Sequence, residues 1–371
     1  MEIFILILWI TIIIYLILEN YYIKKISNSF KHIIYVNGTR GKSSTTRLID
    51  AGLRNSEYKV FSKTTGTIPM YIDIYNNEIP IKRIGNANIK EQIKMLKLAY
   101  NQNADIIILE CMAIDPDLQY ISQNKMVRSN IGIITNVRLD HTDVMGNNLE
   151  EICSSLCNTL PKNGIVFTSD NLFFNMINKK SSKLNSKCFL SKPNKDIINY
   201  NFPDNYALAL DVCSYIGVDY KKSLNAMNLY KHDPYDLSIY KLKNGGLFIN
   251  GLSINDICSI EINYNSLLSI YNLDKKNSIL LINNRFDRGY RSIQMVEFAN
   301  KINPYKVYLL GSHTALLRSK ITCNNIKIIK QLNEVDLNID ENNFIYAIGN
   351  IGNNGNEIID YVQKRGELIA R

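Results

Sequence analysis

A glycine-containing segment between an apolar run and a helical pattern constrains the fold of this chain most. Its glycines let backbone N–H groups approach phosphate oxygens, its lysine supplies a positive charge, and the hydroxyl that follows is placed to hold Mg²⁺. Residues 31–36, of which the last four are apolar, predict a buried strand, and residues 43–53 predict a helix. The segment therefore predicts a phosphate-binding loop with ATP as its ligand. It reads Asn37-Gly38-Thr39-Arg40-Gly41-Lys42-Ser43-Ser44-Thr45.

The loop departs from the common nucleotide-binding form at one position. That form has a glycine five residues before Gly41, and this chain has Val36 there. The spacing Gly-Thr-x-Gly-Lys-Ser belongs to a subset of such loops. The alternative interpretation is a strand-to-helix turn that binds no ligand.

Composition limits the classes of protein to which the chain can belong. Its 371 residues are enough for two domains, and 46% apolar and 21% charged residues are typical of globular proteins. The net charge of +9 favours phosphate-bearing ligands and an anionic membrane surface. No basic run interleaves with aromatic residues, so we expect no nucleic-acid partner. Seven cysteines without a CxxC pair predict buried thiols in a reduced, cytosolic body.

The first two dozen residues differ from the rest of the chain. Residues 3–18 are apolar apart from Thr11, and with three more apolar residues at 21–23 a helix would reach the roughly 30 Å needed to cross a bilayer. Lysines follow at 24, 25 and 31, which places that side in the cytoplasm. We therefore predict a single-pass anchor in the cell membrane over residues 1–24 and a cytoplasmic catalytic body. A buried amphipathic helix is the alternative.

The body shows two successive α/β patterns. Residues 31–233 alternate short apolar runs with helical stretches, which predicts a mostly parallel sheet in an ATP-binding domain. The composition changes near Pro234, and residues 234–371 predict a second, smaller α/β domain of the Rossmann kind.

Polar residues follow two of the predicted strands of the first domain. Glu110 ends an apolar run, and a second run over 131–135 is followed by Asn136, Asp140 and His141. Ligands bind at the carboxyl edge of such sheets, so Glu110 is placed to hold Mg²⁺ and His141 is compatible with a second metal. The alternatives are a solvated strand end for the glutamate and a structural role for the histidine.

Together these motifs resemble the ATP-dependent amide ligases that comprise the Mur ligases and the folylpolyglutamate synthases. More narrowly, they resemble the capsule poly-γ-glutamate synthases, which also carry an N-terminal hydrophobic segment. The resemblance covers essentially the whole body. It depends on residues 35–43, 64–67, 110–119, 135–146, 283–291 and 348–352.

The resemblance implies a mechanism, its cofactors and its site residues. In these ligases ATP phosphorylates a carboxylate, an amine attacks the acyl phosphate, and phosphate leaves as the amide forms. The implied cofactors are ATP and Mg²⁺. The implied catalytic residues are Lys42, Glu110, His141 and Arg288, and the implied metal ligands are Ser43, Glu110 and His141. The implied nucleotide-binding residues are Asn37, Gly38, Thr39, Arg40, Gly41, Lys42, Ser43, Ser44, Thr65, Asn136, Arg285 and Asp287.

The resemblance also implies partners. These are glutamate, the growing poly-γ-glutamate chain, and membrane-embedded capsule synthesis and export subunits of the CapC and CapA kind; a homo-oligomer is a further option. Two other functions stay open. One is a folylpolyglutamate or Mur-type ligase with another substrate, and the other is a non-enzymatic P-loop subunit of a membrane export complex.

Two departures from the related ligases affect these expectations. Many of them carry a lysine that becomes carbamylated and bridges the metals on the helix after the Asp-His motif. Here that helix, predicted over 149–160, has no lysine, and Leu156 lies near the expected place. Either the second metal is bound differently or Glu150 or Glu151 substitutes. The predicted anchor also leads almost directly into the first strand, so we do not expect the UDP-binding domain of Mur ligases or a nucleotide-sugar substrate.

Overall fold

The computed structural model describes residues 2–66, 69–83, 85, 87–198, 200, 202–230, 236–254, 257–286, 289–351 and 354–370. Contacts within the chain divide it into two compact units, Met1–Lys231 and His232–Arg371. The predicted boundary between residues 233 and 234 lies outside the described residues and stays a prediction.

The first unit begins with α1, Glu2–Ser27, a 26-residue helix. Among the described residues it is the helix that is long and apolar enough to cross a membrane, by length and composition. Its large apolar side chains over residues 3–18 are exposed, whereas Ile23 and Ile26 near its end are buried. Ile26 packs in the same core cluster as Phe30. The helix therefore extends past the predicted anchor, and its last turn belongs to the folded body.

Short strands alternate with helices through the rest of the first unit, as the sequence predicts. The strands are β1 His32–Asn37, β2 Val60–Thr64, β3 Met70–Ile72, β4 Glu78–Pro80, β5 Ile106–Glu110, β6 Ile131–Ile134, β7 Ile165–Thr168 and β8 Lys187–Leu190. The helices after α1 are α2 Lys42–Arg54, α3 Glu91–Asn101, α4 Pro116–Ile121, α5 Thr142–Met145, α6 Leu149–Leu156, α7 Phe174–Lys183, α8 Pro203–Tyr215 and α9 Tyr220–Asn228, with a π-helix at Ser122–Val127.

These strands form one sheet in the order β4-β3-β2-β5-β1-β6-β7-β8. The six strands from β2 to β8 along this order pair in parallel, and the two edge strands β3 and β4 are antiparallel. Val36 of β1 lies opposite Glu110 of β5 on one side and Ile133 of β6 on the other. The loop that follows β1 therefore lies between the two strand ends that carry the predicted site residues, where open α/β sheets bind ligands.

Side chains alternate between two cores on the two faces of this sheet, as strand geometry requires. Ile34, Val36, Ile106 and Ile108 pack on one face with α2, α8 and α9. The intervening residues of β1 and β5 pack on the other face with α3 and the end of α1. Both faces are covered, which is usual for a parallel sheet.

The second unit has its own sheet and cores. Its strands are β9 Ser238–Leu242, β10 Leu247–Asn250, β11 Ser278–Asn284, β12 Lys306–Gly311, β13 Ile326–Ile328, β14 Phe344–Gly349 and β15 Gly366–Ala370, in the sheet order β13-β12-β11-β14-β10-β9-β15. The first five strands in that order are parallel to one another. β9 runs antiparallel to both of its neighbours, β10 and β15. Its helices are α10 Ile257–Ile270, α11 Gly289–Ile302, α12 Thr314–Lys320 and α13 Gly355–Gln363.

One predicted helix is shorter than expected. The pattern over 149–160 predicts a single helix, but α6 ends at Leu156 and is followed by a 3₁₀ turn over Cys157–Thr159. Leu160 is extended and precedes Pro161. A residue before proline is disfavoured in the helical region, which explains why the helix ends here.

Candidate active site

The phosphate loop connects β1 to α2 and has glycine at two positions where a side chain does not fit. Gly38 has φ +133°, and a Cβ there would collide with the Thr135 hydroxyl. Gly41 has φ +79° and caps α2, and a Cβ there would lie 2.6 Å from Asn205 Oδ1. Such backbone conformations favour glycine. Both glycines therefore keep the loop backbone close to its neighbours and free of side chains.

The end of β6 holds the loop in place. The Arg40 amide donates to Asn136 Oδ1 at 3.0 Å, and Asn136 Nδ2 donates to the Arg40 carbonyl at 3.1 Å. The Thr135 hydroxyl donates to the same carbonyl at 2.5 Å, and the Thr39 amide donates to the Asn136 carbonyl at 3.0 Å. Asn136 is thus a support of the loop backbone, and its predicted contact with nucleotide stays a prediction.

Asn37, at the end of β1, fixes the start of the loop through its buried side chain. Its side chain is buried, and Nδ2 donates to Gln119 Oε1 at 3.0 Å and to Thr159 Oγ1 at 3.1 Å. Gln119 Nε2 in turn donates to the Ile114 carbonyl at 2.8 Å. Asn37 therefore connects β1 to α4 through side-chain hydrogen bonds. Its predicted role at the nucleotide stays a prediction.

Lys42 is the cation of the loop. Its Nζ donates to the carbonyls of Gly38 at 2.7 Å and Thr39 at 3.2 Å, so the side chain folds back along the loop. Burial lowers the pKa of Lys42 below its ordinary value, while the charge of Glu110 opposes that shift. The neighbouring Arg40 guanidinium pairs with Asp140 at 3.1 Å. The loop therefore carries two cationic side chains, each with a carboxylate nearby, Lys42 with Glu110 and Arg40 with Asp140.

Glu110 brings three segments of the first unit together. It is 3% exposed, and its Oε2 accepts from the Ser43 hydroxyl at 2.9 Å and from the Thr65 amide at 2.6 Å. A hydroxyl and a carboxylate oxygen in contact are the hard oxygen donors that Mg²⁺ prefers, so the residues present fit a magnesium ion. Ser44 lies beside Ser43 in the first turn of α2. The structure thus brings together Ser43, Thr65 and Glu110, as the sequence predicts.

His141 lies apart from this arrangement. It has φ +47° and precedes the short helix α5, and its Nε2 is 3.7 Å from Asp140 Oδ2. In the described part of the chain no three His, Cys, Asp or Glu residues are grouped as a metal would require. Glu151, one suggested substitute for the absent lysine, accepts from the Asn147 amide at 2.7 Å and from Asn148 Nδ2 at 3.0 Å. The second metal therefore stays a prediction.

A buried charge cluster lies next to Glu110 and was not predicted from the sequence. Lys63 of β2 is completely buried, and its Nζ lies 2.9 Å from Glu91 Oε1. Arg83 binds both oxygens of Glu91 at 2.7 and 3.0 Å. Although burial raises the pKa of Glu91, its hydrogen bonds and ion pairs with Arg83 and Lys63 outweigh that effect and lower it. The sequence signal was a lysine within the short strand Val60–Thr64, whose five residues are all buried in the structure.

In the second unit, polar residues lie at the carboxyl ends of the neighbouring strands β11 and β14. Asn283 Nδ2 donates to the Asn350 carbonyl at 2.6 Å, and Arg291 Nη1 donates to Asn350 Oδ1 at 3.4 Å. Arg285 directly follows β11. The predicted site residues Asp287 and Arg288 lie outside the described residues. Arg285 is thus at the carboxyl edge of its sheet, and its predicted role stays a prediction.

Comparison with known proteins gives two family matches. Residues 36–215 match the Mur ligase middle domain, and residues 239–365 match the poly-gamma-glutamate synthase CapB C-terminal domain. Among solved structures, a bifunctional folylpolyglutamate synthase/dihydrofolate synthase from Yersinia pestis, complexed with AMPPNP and Mn ion, is 12% identical, with a TM-score of 0.67 over 93% of this chain and 91% of that one. MurF from Acinetobacter baumannii is 11% identical, with a TM-score of 0.63 over 92% of this chain and 79% of that one.

The fold and the middle-domain match define an ATP-dependent amide ligase of the Mur ligase superfamily. Two curated relatives narrow the assignment. The capsule biosynthesis protein CapB of Bacillus anthracis is 31% identical over 95% of this chain and 81% of its own length, and the PGA synthase CapB of Bacillus subtilis is 32% identical over 89% and 90%. The chain belongs to the CapB family. The resemblance, the fold class and the enzyme class predicted from the sequence are confirmed.

Proposed function

We propose that this chain uses ATP and Mg²⁺ to activate a carboxylate as an acyl phosphate and then joins it to the amino group of glutamate, extending poly-γ-glutamate. One observation carries the proposal: a single buried oxygen of Glu110 accepts hydrogen bonds from Ser43 and from the Thr65 amide beside a phosphate loop. The curated relatives, described as a capsule biosynthesis protein and a PGA synthase, support the choice of product.

Ser43 and Glu110 would hold the magnesium ion. When bound, the ion would neutralise phosphate charge and polarise the phosphoryl oxygens. Glu110 supplies the anionic oxygen, and its hydrogen bond from Thr65 fixes the direction of that carboxylate. Because Glu110 is nearly fully buried, its oxygens are held in place before any ligand binds.

Lys42 and the backbone donors of the loop would stabilise the transferring phosphoryl group. The lysine amino group lies against the Gly38 and Thr39 carbonyls, so a small side-chain movement would bring it to a phosphate oxygen. Such preorganised charge is commonly worth several kcal/mol in the transition state. The roles of Arg285, Asp287, Arg288 and His141 follow from the resemblance.

The proposal includes a place in the cell. α1 would be a single membrane span that leaves the catalytic body in the cytoplasm, because lysines follow the apolar run. Membrane-embedded capsule synthesis and export subunits, of the CapC and CapA kind, would receive the polymer. Glutamate and the growing chain would be the substrates, and a homo-oligomer is compatible with this arrangement.

Product analysis tests this proposal. The purified full chain in detergent is incubated with ATP, Mg²⁺, glutamate and a short poly-γ-glutamate acceptor, and ADP release and new amide product are measured. We expect both to depend on the acceptor. ADP release without amide product would contradict the proposal and favour an export subunit, and product formed only with a folate acceptor would favour another ligase of the superfamily. Lys42→Met should abolish product, whereas Lys162→Met, at an exposed lysine, should not.

A further inference from the structure

Two cations of the catalytic body contact α1 where it leaves its apolar stretch. Arg128, which follows the π-helix, donates from Nη2 to Asn20 Oδ1 at 2.7 Å. The Lys97 ammonium of α3 lies 5.5 Å from the ring centroid of Tyr22. Lys24 and Lys25, which follow Tyr22 within one turn of the same helix, are exposed. We call these four cations, Lys24, Lys25, Lys97 and Arg128, the basic collar.

We propose that the basic collar binds the anionic phospholipid headgroups of the membrane, so that the catalytic body lies directly on the bilayer surface. This inference rests on the proposed function only in that α1 must span the membrane. It assigns lipid contact to Lys97 and Arg128, which are far from the anchor in sequence.

The length of the apolar stretch places the collar in the headgroup layer. Residues 3–18 cover about 24 Å as a helix, whereas the hydrocarbon core is about 30 Å thick. The difference of about 6 Å corresponds to about four more residues, which brings the membrane boundary to about residue 22. Tyr21 and Tyr22 are 68% and 43% exposed there, as is typical of aromatic residues at a membrane interface. The contacts of Arg128 with Asn20 and of Lys97 with Tyr22 therefore lie at the membrane boundary, where long basic side chains extend their charged ends towards the lipid headgroups.

The collar also lacks anionic partners in the protein. In the part of the chain that the structure describes, no carboxylate lies within 4.0 Å of any of its four cations, in contrast to Lys31, which pairs with Asp105 at 3.1 Å. Arg128 Nε is buried and has no hydrogen-bond acceptor among the described residues. The nearby carboxylate on this part of α1, Glu19, accepts from the Tyr15 hydroxyl at 3.4 Å. Lipid phosphates would supply the missing anions, and each basic residue near an anionic surface strengthens binding about fivefold.

Photocrosslinking in nanodiscs tests the proposal on the full chain. Nanodiscs contain phosphatidylcholine with or without phosphatidylglycerol, together with a trace of headgroup-photoreactive lipid of either kind, and crosslinked peptides are identified by mass spectrometry. We expect the anionic probe to label the segments around residues 97 and 128 at least fivefold more than the zwitterionic probe. Added salt should reduce the difference.

Paired variants make the result specific. Lys97→Gln with Arg128→Gln should remove the preference, and Lys97→Arg with Arg128→Lys should restore it. Lys221→Gln with Lys222→Gln should leave it unchanged, because these exposed lysines lie on α9, which packs on the opposite face of the sheet from α1. Equal labelling by both probes, or no labelling of these segments, would overturn the proposal. Nucleotide binding by each variant reports whether it is folded. If the variant with two glutamines does not fold, the variant with Lys97→Arg and Arg128→Lys still tests the proposal. Extraction of the chain by alkaline carbonate would instead show that the span itself is wrong.

Discussion

Glu110→Gln separates the charge of the proposed metal site from its shape. The substitution keeps the size of the side chain and leaves an oxygen that can still accept from the Ser43 hydroxyl and the Thr65 amide, whose bonds to Glu110 are 2.9 and 2.6 Å long. The variant loses the negative charge, and an NH2 group takes the place of the second oxygen. We therefore expect a folded protein whose magnesium dependence has changed.

The magnitude follows from these two hydrogen bonds. Hydrogen bonds to a charged group contribute about 1 kcal/mol more than neutral ones, so two of them give about 2 kcal/mol for the positioning of this side chain. If that energy appears in metal binding, half-saturating Mg²⁺ rises about 30-fold. The charge of Glu110 also supports the protonated form of Lys42, so its loss lowers the pKa of that lysine further. In the proposed mechanism the protonated lysine stabilises the phosphoryl group, so activity should disappear at a lower pH on the alkaline side.

Initial rates of ADP release against Mg²⁺ concentration, measured across a range of pH, give both quantities. Ser43→Ala is the matched comparison, because it removes one partner of the carboxylate and keeps its charge. It should raise half-saturating Mg²⁺ without moving the alkaline limb. If Glu110→Gln leaves both the magnesium dependence and the alkaline limb unchanged, the carboxylate is only a support for the strand end.

Four further substitutions test three other parts of the structure. Gly38→Ala should destabilise the first unit by about 1–3 kcal/mol and abolish nucleotide binding, because φ is positive and the methyl group meets Thr135; normal binding measured by calorimetry would refute this. Glu91→Gln should cost about 3 kcal/mol in urea unfolding and exceed Lys63→Met, which leaves Glu91 its pair with Arg83; the reverse order would contradict the cluster. Arg285→Ala should reduce amide formation more than ATP binding. Equal losses of both would argue against a role of Arg285 in the steps that follow ATP binding.

Stability should also depend on pH through Glu91. Its pKa in the folded protein lies below the ordinary value. The carboxylate therefore contributes stability above the ordinary glutamate pKa, and this contribution is lost as the pH falls through its folded value. Urea unfolding of wild type and Glu91→Gln at neutral and acid pH should converge at acid pH; a constant difference would show that the pKa is not lowered.

Local patterns predicted the loop and the oxygen donors beside it, Ser43 and Glu110, whereas the supports of the loop come from distant parts of the chain. The glycines and Lys42 lie within one short segment, and Glu110 ends an apolar run, so spacing alone places them. Asn205 lies beside Gly41, and Gln119 accepts a hydrogen bond from Asn37. No motif near either residue in the sequence indicates that it supports the loop. Their positions depend on how α8 and α4 pack against the sheet, which a single sequence does not reveal.

The short antiparallel strands were also not predicted. β3 and β4 have three residues each, and Pro80 ends the second of them at the sheet edge. Three residues are too few to show the alternation of apolar and polar side chains that identifies a strand. Proline has no backbone N–H, and an edge strand accepts it at a position whose N–H would face away from the sheet. The apolar helix at residues 2–27 was predicted in the main, and its role as an anchor stays a prediction. The burial of Ile26 depends on Phe30 and α3, which only the fold brings together.

In the part of the chain that the structure describes, each sheet is built around its own hydrophobic clusters. Each unit therefore has a core of its own that can melt by itself. Heating should give two calorimetric transitions, and a two-state free energy would not describe the whole chain. A variant that melts only the second unit would keep much of its circular dichroism while losing activity. For every substitution proposed above, the circular dichroism spectrum and the catalytic activity would then have to be measured separately.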